Sequence, residues 1–93
     1  MSSAPDATIA PMPRRLVHNV VLYSRPGCHL CDVAREAILS IRERLGFDFT
    51  EVDIEADDEL ELEYGIRIPV VEVDGEEAFE VTVDAERFAR MVS

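Results

Sequence analysis

The sequence predicts a single α/β domain in which a small mixed sheet carries flanking helices. Three observations carry that reading. The 93 residues fall within the size of one domain, and a chain of this length buries roughly 60–65% of its unfolded surface, enough for one core. Apolar residues change their period along the chain in the order β-α-β-α-β-β-α. Asp74-Gly75, a dipeptide suited to a tight hairpin turn, separates the last two strand-like runs.

Residues 1–15 read as a flexible tail and 16–93 as the domain. Met1 to Pro13 mixes Ser, Ala and three prolines, and its first charge is Asp6. It has neither the basic leader nor the apolar stretch of a secretory signal, so the cytoplasm is the expected compartment. Leu16 to Tyr23 is rich in Val and Leu with little alternation, which suits a strand covered on both faces. Ser24 to Gly27 breaks the pattern with turn residues. From Cys28 onward Val33, Ala34, Ala37, Ile38, Ile41 and Leu45 form one apolar helix face, and Gly46 is a stop. Phe47 to Ile54 alternates apolar and polar residues except for a slip at Thr50-Glu51, read as a bulge or a late strand start. Asp57 to Tyr64 opens with carboxylates, which favour a helix N-terminus, and ends at Gly65. Val70 to Val73 and Ala78 to Val83 read as the hairpin strands. Asp84 is placed to cap a last helix, Ala85 to Val92, with Phe88, Met91 and Val92 facing the core. Right-handed crossover makes the first two strands parallel, and adjacent or nearly so.

Charge narrows the function classes. Twenty acidic residues face nine basic ones, a net charge of −11, and all nine are arginine. Such a surface repels phosphate backbones and anionic lipid, so neither a nucleic-acid nor a membrane partner is expected. Arg25 precedes the cysteines and three arginines follow on the first helix, whereas Glu51 to Glu63 contains none. That acidic stretch reads as a solvated face, with a docking surface for a basic partner as the sharper alternative. Arg67 is expected to pair with part of it. His18, Tyr23 and Tyr64 read as structural residues.

The two cysteines carry the chemistry. Cys28-His29-Leu30-Cys31 falls just after the first strand, at the first turn of the first helix. Residues three apart on a helix share a face at a spacing a disulfide can bridge. Unpaired N–H groups at a helix N-terminus favour a thiolate, so Cys28, at the exposed end, is the expected nucleophile. Cys31, one turn in, is the expected resolving thiol. Arg25 and His29, the latter if protonated, add positive charge beside Cys28; His29 has the alternative of being a plain exposed helix residue. A structural disulfide stays open but closes too short a loop to stabilise much, about 2 kcal/mol. Half of a zinc site also stays open, though no second Cys-x-x-Cys supplies the other ligands. A dithiol redox centre fits best, because the pair opens the helix of a strand–helix–strand unit.

Leu22 to Cys31 resembles the active-site segment of glutaredoxin-like proteins of the thioredoxin fold. Gly65-Ile66-Arg67-Ile68-Pro69-Val70-Val71 resembles the segment that carries their cis-proline, and Asp74-Gly75 the hairpin that follows. The likeness runs from about Val17 to Val92. It implies that Pro69 is cis and faces the cysteines, that the backbone of Ile68 pairs with a bound thiol peptide, and that Arg25 stands where a basic residue helps hold glutathione. Two departures matter. His29-Leu30 replaces the Pro-Tyr common between such cysteines. Counting from Pro69, Phe79-Glu80 falls where the family carries a Gly-Gly turn for glutathione, and a ring and a carboxylate there argue against that tripeptide.

The function expected is thiol–disulfide exchange by a monomer without a resident cofactor or metal. Its substrate is a disulfide-containing protein or a low-molecular-weight thiol, and its electrons come from such a thiol or a flavin reductase. The rival is a non-catalytic thioredoxin-fold adaptor, or a carrier of metal or an iron–sulfur cluster on the same cysteines.

Overall fold

A computed structural model describes residues 17–93; the tail at 1–15 lies outside the described residues, as does Leu16. The elements are β1 (Asn19–Ser24), α1 (His29–Leu45), β2 (Asp48–Asp53), a single 3-10 turn (Ile54–Ala56), α2 (Asp58–Tyr64), β3 (Val70–Val73), β4 (Glu76–Glu80) and α3 (Ala85–Met91). The sheet order is β2-β1-β3-β4, with β1 and β2 parallel and the other pairs antiparallel. The adjacent parallel first pair agrees with the right-handed crossover rule.

The sheet separates two cores. Val20, Leu22, Phe47, Val71 and Val73 meet Ala34, Ile38 and Ile41 of α1 and Phe88 of α3 on one face. Phe88 takes Phe47 and Phe79 edge-on at 5.6 and 6.4 Å, the geometry that ring quadrupoles favour. On the other face Ile54, Tyr64 and Val70 form a smaller cluster with Tyr23, Leu60 and Ile68. Tyr23 and Tyr64 stack at 4.2 Å. Burial, aided by Glu72 and the Tyr64 hydroxyl, pushes the Tyr23 phenol up to about 12. Since α2 has only seven residues, this second face of β1 is half covered rather than sealed.

Several boundaries shift from the sequence reading. The slip at Thr50-Glu51 is neither a bulge nor a late start, because β2 pairs with β1 without interruption from Asp48 to Asp53. Glu51 instead stands opposite Leu22, on the side of the sheet that α1 covers. Val33 is exposed, and Cys31 joins Ala34, Ile38 and Ile41 on the buried stripe of α1. The last strand begins at once after the turn and ends at Glu80, not Val83. Asp74 and Gly75 both have positive φ, 55° and 89°, the tightest hairpin closure. The Asp74 carboxylate accepts from the Asn19 N–H at 2.9 Å and meets His18 Nδ1 at 2.6 Å, and that His18 contact holds its carboxyl below the usual range. Asp84 caps α3 by accepting from Glu86 and Arg87 N–H at 3.1 and 3.2 Å.

Candidate active site

Gly27 has a φ of 80°, and nothing lies within 4 Å of where its Cβ would be. Backbone conformation, not space, therefore calls for glycine where the chain turns from β1 into α1. That turn leaves Cys28 as the N-cap of α1, in extended conformation. Its Sγ accepts from the Cys31 N–H at 3.1 Å, and its carbonyl accepts the first helical bond, from Asp32 N–H, at 3.1 Å. A sulfur here does what a serine or aspartate oxygen does at other caps, and it faces the positive end of the helix dipole.

Both cysteines are free thiols, Cys28 half-buried and Cys31 wholly buried. Burial, reinforced by the hydrogen bond with Cys28, pushes the Cys31 thiol up to about 12; a backbone hydrogen bond from Arg25 and the charge of Arg35 pull weakly the other way. Burial on the inner stripe of α1 thus favours the neutral thiol form of Cys31.

The Ile68–Pro69 bond is cis. Val70 lies opposite Tyr23 in the antiparallel β1–β3 pair, so Pro69 sits at the end of the sheet from which β1 hands the chain to Cys28. The Pro69 ring is fully buried. Its carbonyl accepts from Val81 N–H at 2.8 Å, and the Arg67 carbonyl shares that donor at 3.1 Å. Among the described residues neither the N–H nor the carbonyl of Ile68 has a hydrogen-bond partner. An unpaired backbone pair beside a strand end is a ready template for another extended chain.

Arg25 and His29 fare differently. His29 is the exposed first residue of α1. The guanidinium of Arg25 reaches toward Glu61 at 3.7 Å and Glu55 at 4.0 Å, and its buried Nε has no hydrogen-bond partner among the described residues. Arg25 therefore bridges the cysteine loop to α2.

Two features escape the sequence reading. The bulge between β3 and β4 leaves Ala78 unpaired, which moves the turn that follows by one residue. The residue there with a glycine-like backbone is Val81, at φ 70°, one past the Phe79-Glu80 pair that counting selects. A β-branched residue in the left-handed region is strained. Val81, Thr82 and Val83 line a small apolar groove with Leu30, Val33 and Ala37 of α1. The second feature is polar. Glu51 accepts from Ser24 Oγ at 2.6 Å and takes Arg35 in a two-pronged pair at 2.7 and 2.5 Å, while Arg35 also bonds Asp32 at 2.8 Å. Arg35, with Ser24, holds the Glu51 carboxyl below its usual range. The break in alternation at Glu51 is its only mark in the sequence.

Arg67 gathers Glu63 at 3.5 Å, Glu80 at 3.0 Å and Glu77, and lies over the Tyr64 ring. Among the described residues no group of three or more His, Cys, Asp or Glu is arranged to hold a metal ion. No helix among them is long and apolar enough to cross a membrane.

Residues 19–93 match the model of the Glutaredoxin-like domain (DUF836). "Uncharacterized protein Rv0508" of Mycobacterium tuberculosis is 34% identical over 73 residues, covering 73% of this chain and 75% of its own. The structure of protein XcR50 from X. campestris is 39% identical, covers 76% of this chain and 91% of its own, and superposes with a TM-score of 0.65. Protein Ne2328 from Nitrosomonas europaea, at 23% identity, has a TM-score of 0.72 over 83% of this chain and 93% of its own. A thioredoxin mutant from Halobacterium salinarum, at 19% identity, has a TM-score of 0.61 over 81% and 71%. The β2-β1-β3-β4 sheet with the three helices among the described residues is a thioredoxin fold, and the chain belongs to the glutaredoxin-like family.

Proposed function

We propose that the protein is a small thiol–disulfide oxidoreductase working through Cys28 and Cys31. The observation that carries this reading is the half-buried Cys28 sulfur at the cap of α1, hydrogen-bonded by the Cys31 N–H at 3.1 Å. That donor and the helix dipole stabilise negative charge on the attacking sulfur. The Cys28 thiolate attacks one sulfur of a substrate disulfide, forming a mixed disulfide and releasing the other sulfur as a thiolate, which takes a proton from solvent. Cys31 then gives up its proton and attacks the Cys28 sulfur. The Cys28–Cys31 disulfide forms, the second substrate sulfur leaves reduced, and two electrons have passed to substrate.

The buried, protonated Cys31 suits the second step. It keeps the resolving thiol from competing as first nucleophile, and its proton loss follows once Cys28 is engaged. The free backbone pair of Ile68 suits a substrate chain lying in extended form next to Cys28. Electrons return from a low-molecular-weight thiol or a flavin reductase. Glutathione fits poorly, because Val81 puts a branched side chain at the turn where that tripeptide needs bare backbone.

The test joins a redox titration of the cysteine couple to insulin reduction by the wild type and a Cys28→Ser variant. A two-electron midpoint in the thioredoxin-to-glutaredoxin range, about −270 to −200 mV, is expected. Loss of insulin reduction by about 100-fold or more in the variant is expected with it. Equal reduction by both proteins sinks the reading.

A further inference from the structure

Leu62 and Ile66 are 88% and 97% exposed. Single exposed aliphatic residues are ordinary, but two that share one cleft are informative. They stand four residues apart, and Gly65 between them keeps helical φ and ψ of −52° and −39°, so both remain on one side of the chain. With Arg25, Asp58, Glu61 and Gly65 they line an open cleft of about 520 Å³. A Cβ at Gly65 would meet the Glu61 carbonyl at 2.5 Å and the Arg25 guanidinium at 3.6 Å, so the cleft wall there has room only for glycine. Two of its lining residues stand close in sequence to the candidate site. Arg25 lies three residues before Cys28, and Ile66 three before Pro69.

Charge says what covers this spot. Glu55, Asp57, Asp58, Glu59, Glu61 and Glu63 surround it in sequence, all exposed, and the one arginine in the cleft already faces Glu55 and Glu61. A second copy of a chain with a net charge of −11 would set two such acidic rims against each other. We propose that Leu62 and Ile66 are the apolar centre of a docking surface for a basic protein, one whose own contact face carries apolar side chains ringed by lysine or arginine. This rests on the disulfide-exchange reading and names the kind of protein that presents the disulfide to Cys28. The apolar pair supplies the desolvated centre and the carboxylates steer the encounter.

Pre-reduced protein is mixed in single-turnover experiments with three oxidants. Two are disulfide-linked peptides that differ only in whether lysines or glutamates flank a leucine pair; the third is bis(2-hydroxyethyl) disulfide, small and neutral. The wild type should react about 10-fold or more faster with the lysine peptide than with the glutamate peptide. That advantage should shrink several-fold as salt rises from about 20 to about 300 mM. A Leu62→Ser/Ile66→Ser variant should lose about 5-fold or more on the lysine peptide and keep its rate on the small disulfide. Equal rates for the two peptides, or an unchanged lysine-peptide rate in the variant, overturn the proposal and leave the exchange chemistry standing. So does sedimentation showing a wild-type dimer that the double variant abolishes. Failure of the wild type on all three oxidants overturns the exchange reading itself, and the docking surface with it.

Discussion

The two faces of the sheet are built to different standards. Beneath α1 and α3, ten buried side chains among the described residues form one cluster, and Cys31 is enclosed on the same stripe of α1 as three of them. Beneath α2, three buried residues suffice, one of them Tyr64 stacked on Tyr23, and the helix with the turn after it presents carboxylates and two bare aliphatic side chains to water. The first face buries Cys31, and that burial favours its neutral thiol form. The second holds little of the fold together, and its outer surface is therefore free to be specified by what it meets. On the proposed reading, stability and recognition are divided between opposite sides of one four-stranded sheet, with Cys28 and Pro69 at the end that both share.

Truncating an aromatic on each side tests that division most strongly. Phe88→Ala removes a fully buried ring that two other rings meet edge-on, and should cost about 3–5 kcal/mol. That is a large share of the 5–15 kcal/mol typical of a whole domain. Tyr64→Ala strips the smaller cluster of its central ring, but that ring lies at the surface edge under Arg67. It should cost roughly 2–3 kcal/mol. Urea titrations followed by far-UV circular dichroism give both numbers. Equal costs would mean that the faces share the load.

The larger face was also the more legible one. Ile38 and Ile41 announce their helix by period, Asp74-Gly75 its turn by backbone preference, and Asp84 its helix by capping. The place of the cysteine pair at the helix start was legible, because Cys-x-x-Cys falls where the apolar period changes from strand to helix. Two things were not. Val81 gives no sign of a left-handed backbone, since β-branched residues avoid it, and the bulge at Ala78 that precedes it has no mark in the sequence either. Glu51 looked like an error in an alternating strand, because a single-residue pattern cannot show that Arg35, sixteen residues earlier, and Ser24 wait on the core side. Long-range partners of a misplaced charge are set by topology, which one-dimensional periodicity does not encode.

That Arg35–Glu51 pair sits on the rim of the stronger face and sharpens the comparison at middle scale. Arg35→Met leaves the Glu51 carboxylate on the side that α1 covers with only Ser24 as a partner, and should cost about 1–3 kcal/mol at neutral pH. Glu51→Gln should cost less, since the amide keeps an acceptor for Ser24. The pH dependence has a definite sign. Glu51 has its carboxyl lowered in the fold, so its contribution is present above the ordinary unfolded value near 4.5 and is lost as acid protonates it. Wild type should therefore converge on Glu51→Gln in stability as pH falls below about 4, measured by denaturant midpoints across pH.

The smallest expected effects come from helix caps, and they separate the faces by how far the damage spreads. Asp84 caps α3 through two N–H groups, and α3 carries Phe88 into the main core. Asp57 caps α2 through the Glu59 N–H at 2.8 Å, and α2 covers only the minor cluster. Each aspartate changed to alanine loses about 1 kcal/mol of capping. Asp84→Ala should lower the global unfolding free energy by that amount, because α3 cannot fray without uncovering the ring that Phe47 and Phe79 meet. Asp57→Ala should appear first as faster amide exchange confined to α2, with a smaller shift in the global midpoint, because a seven-residue helix over a thin core can open while the rest stays folded. Native-state hydrogen exchange on the two variants reads both effects at once. Were exchange in α2 to report only global opening in Asp57→Ala, the two faces would form one cooperative unit, and the freedom ascribed to the acidic surface would have no structural basis.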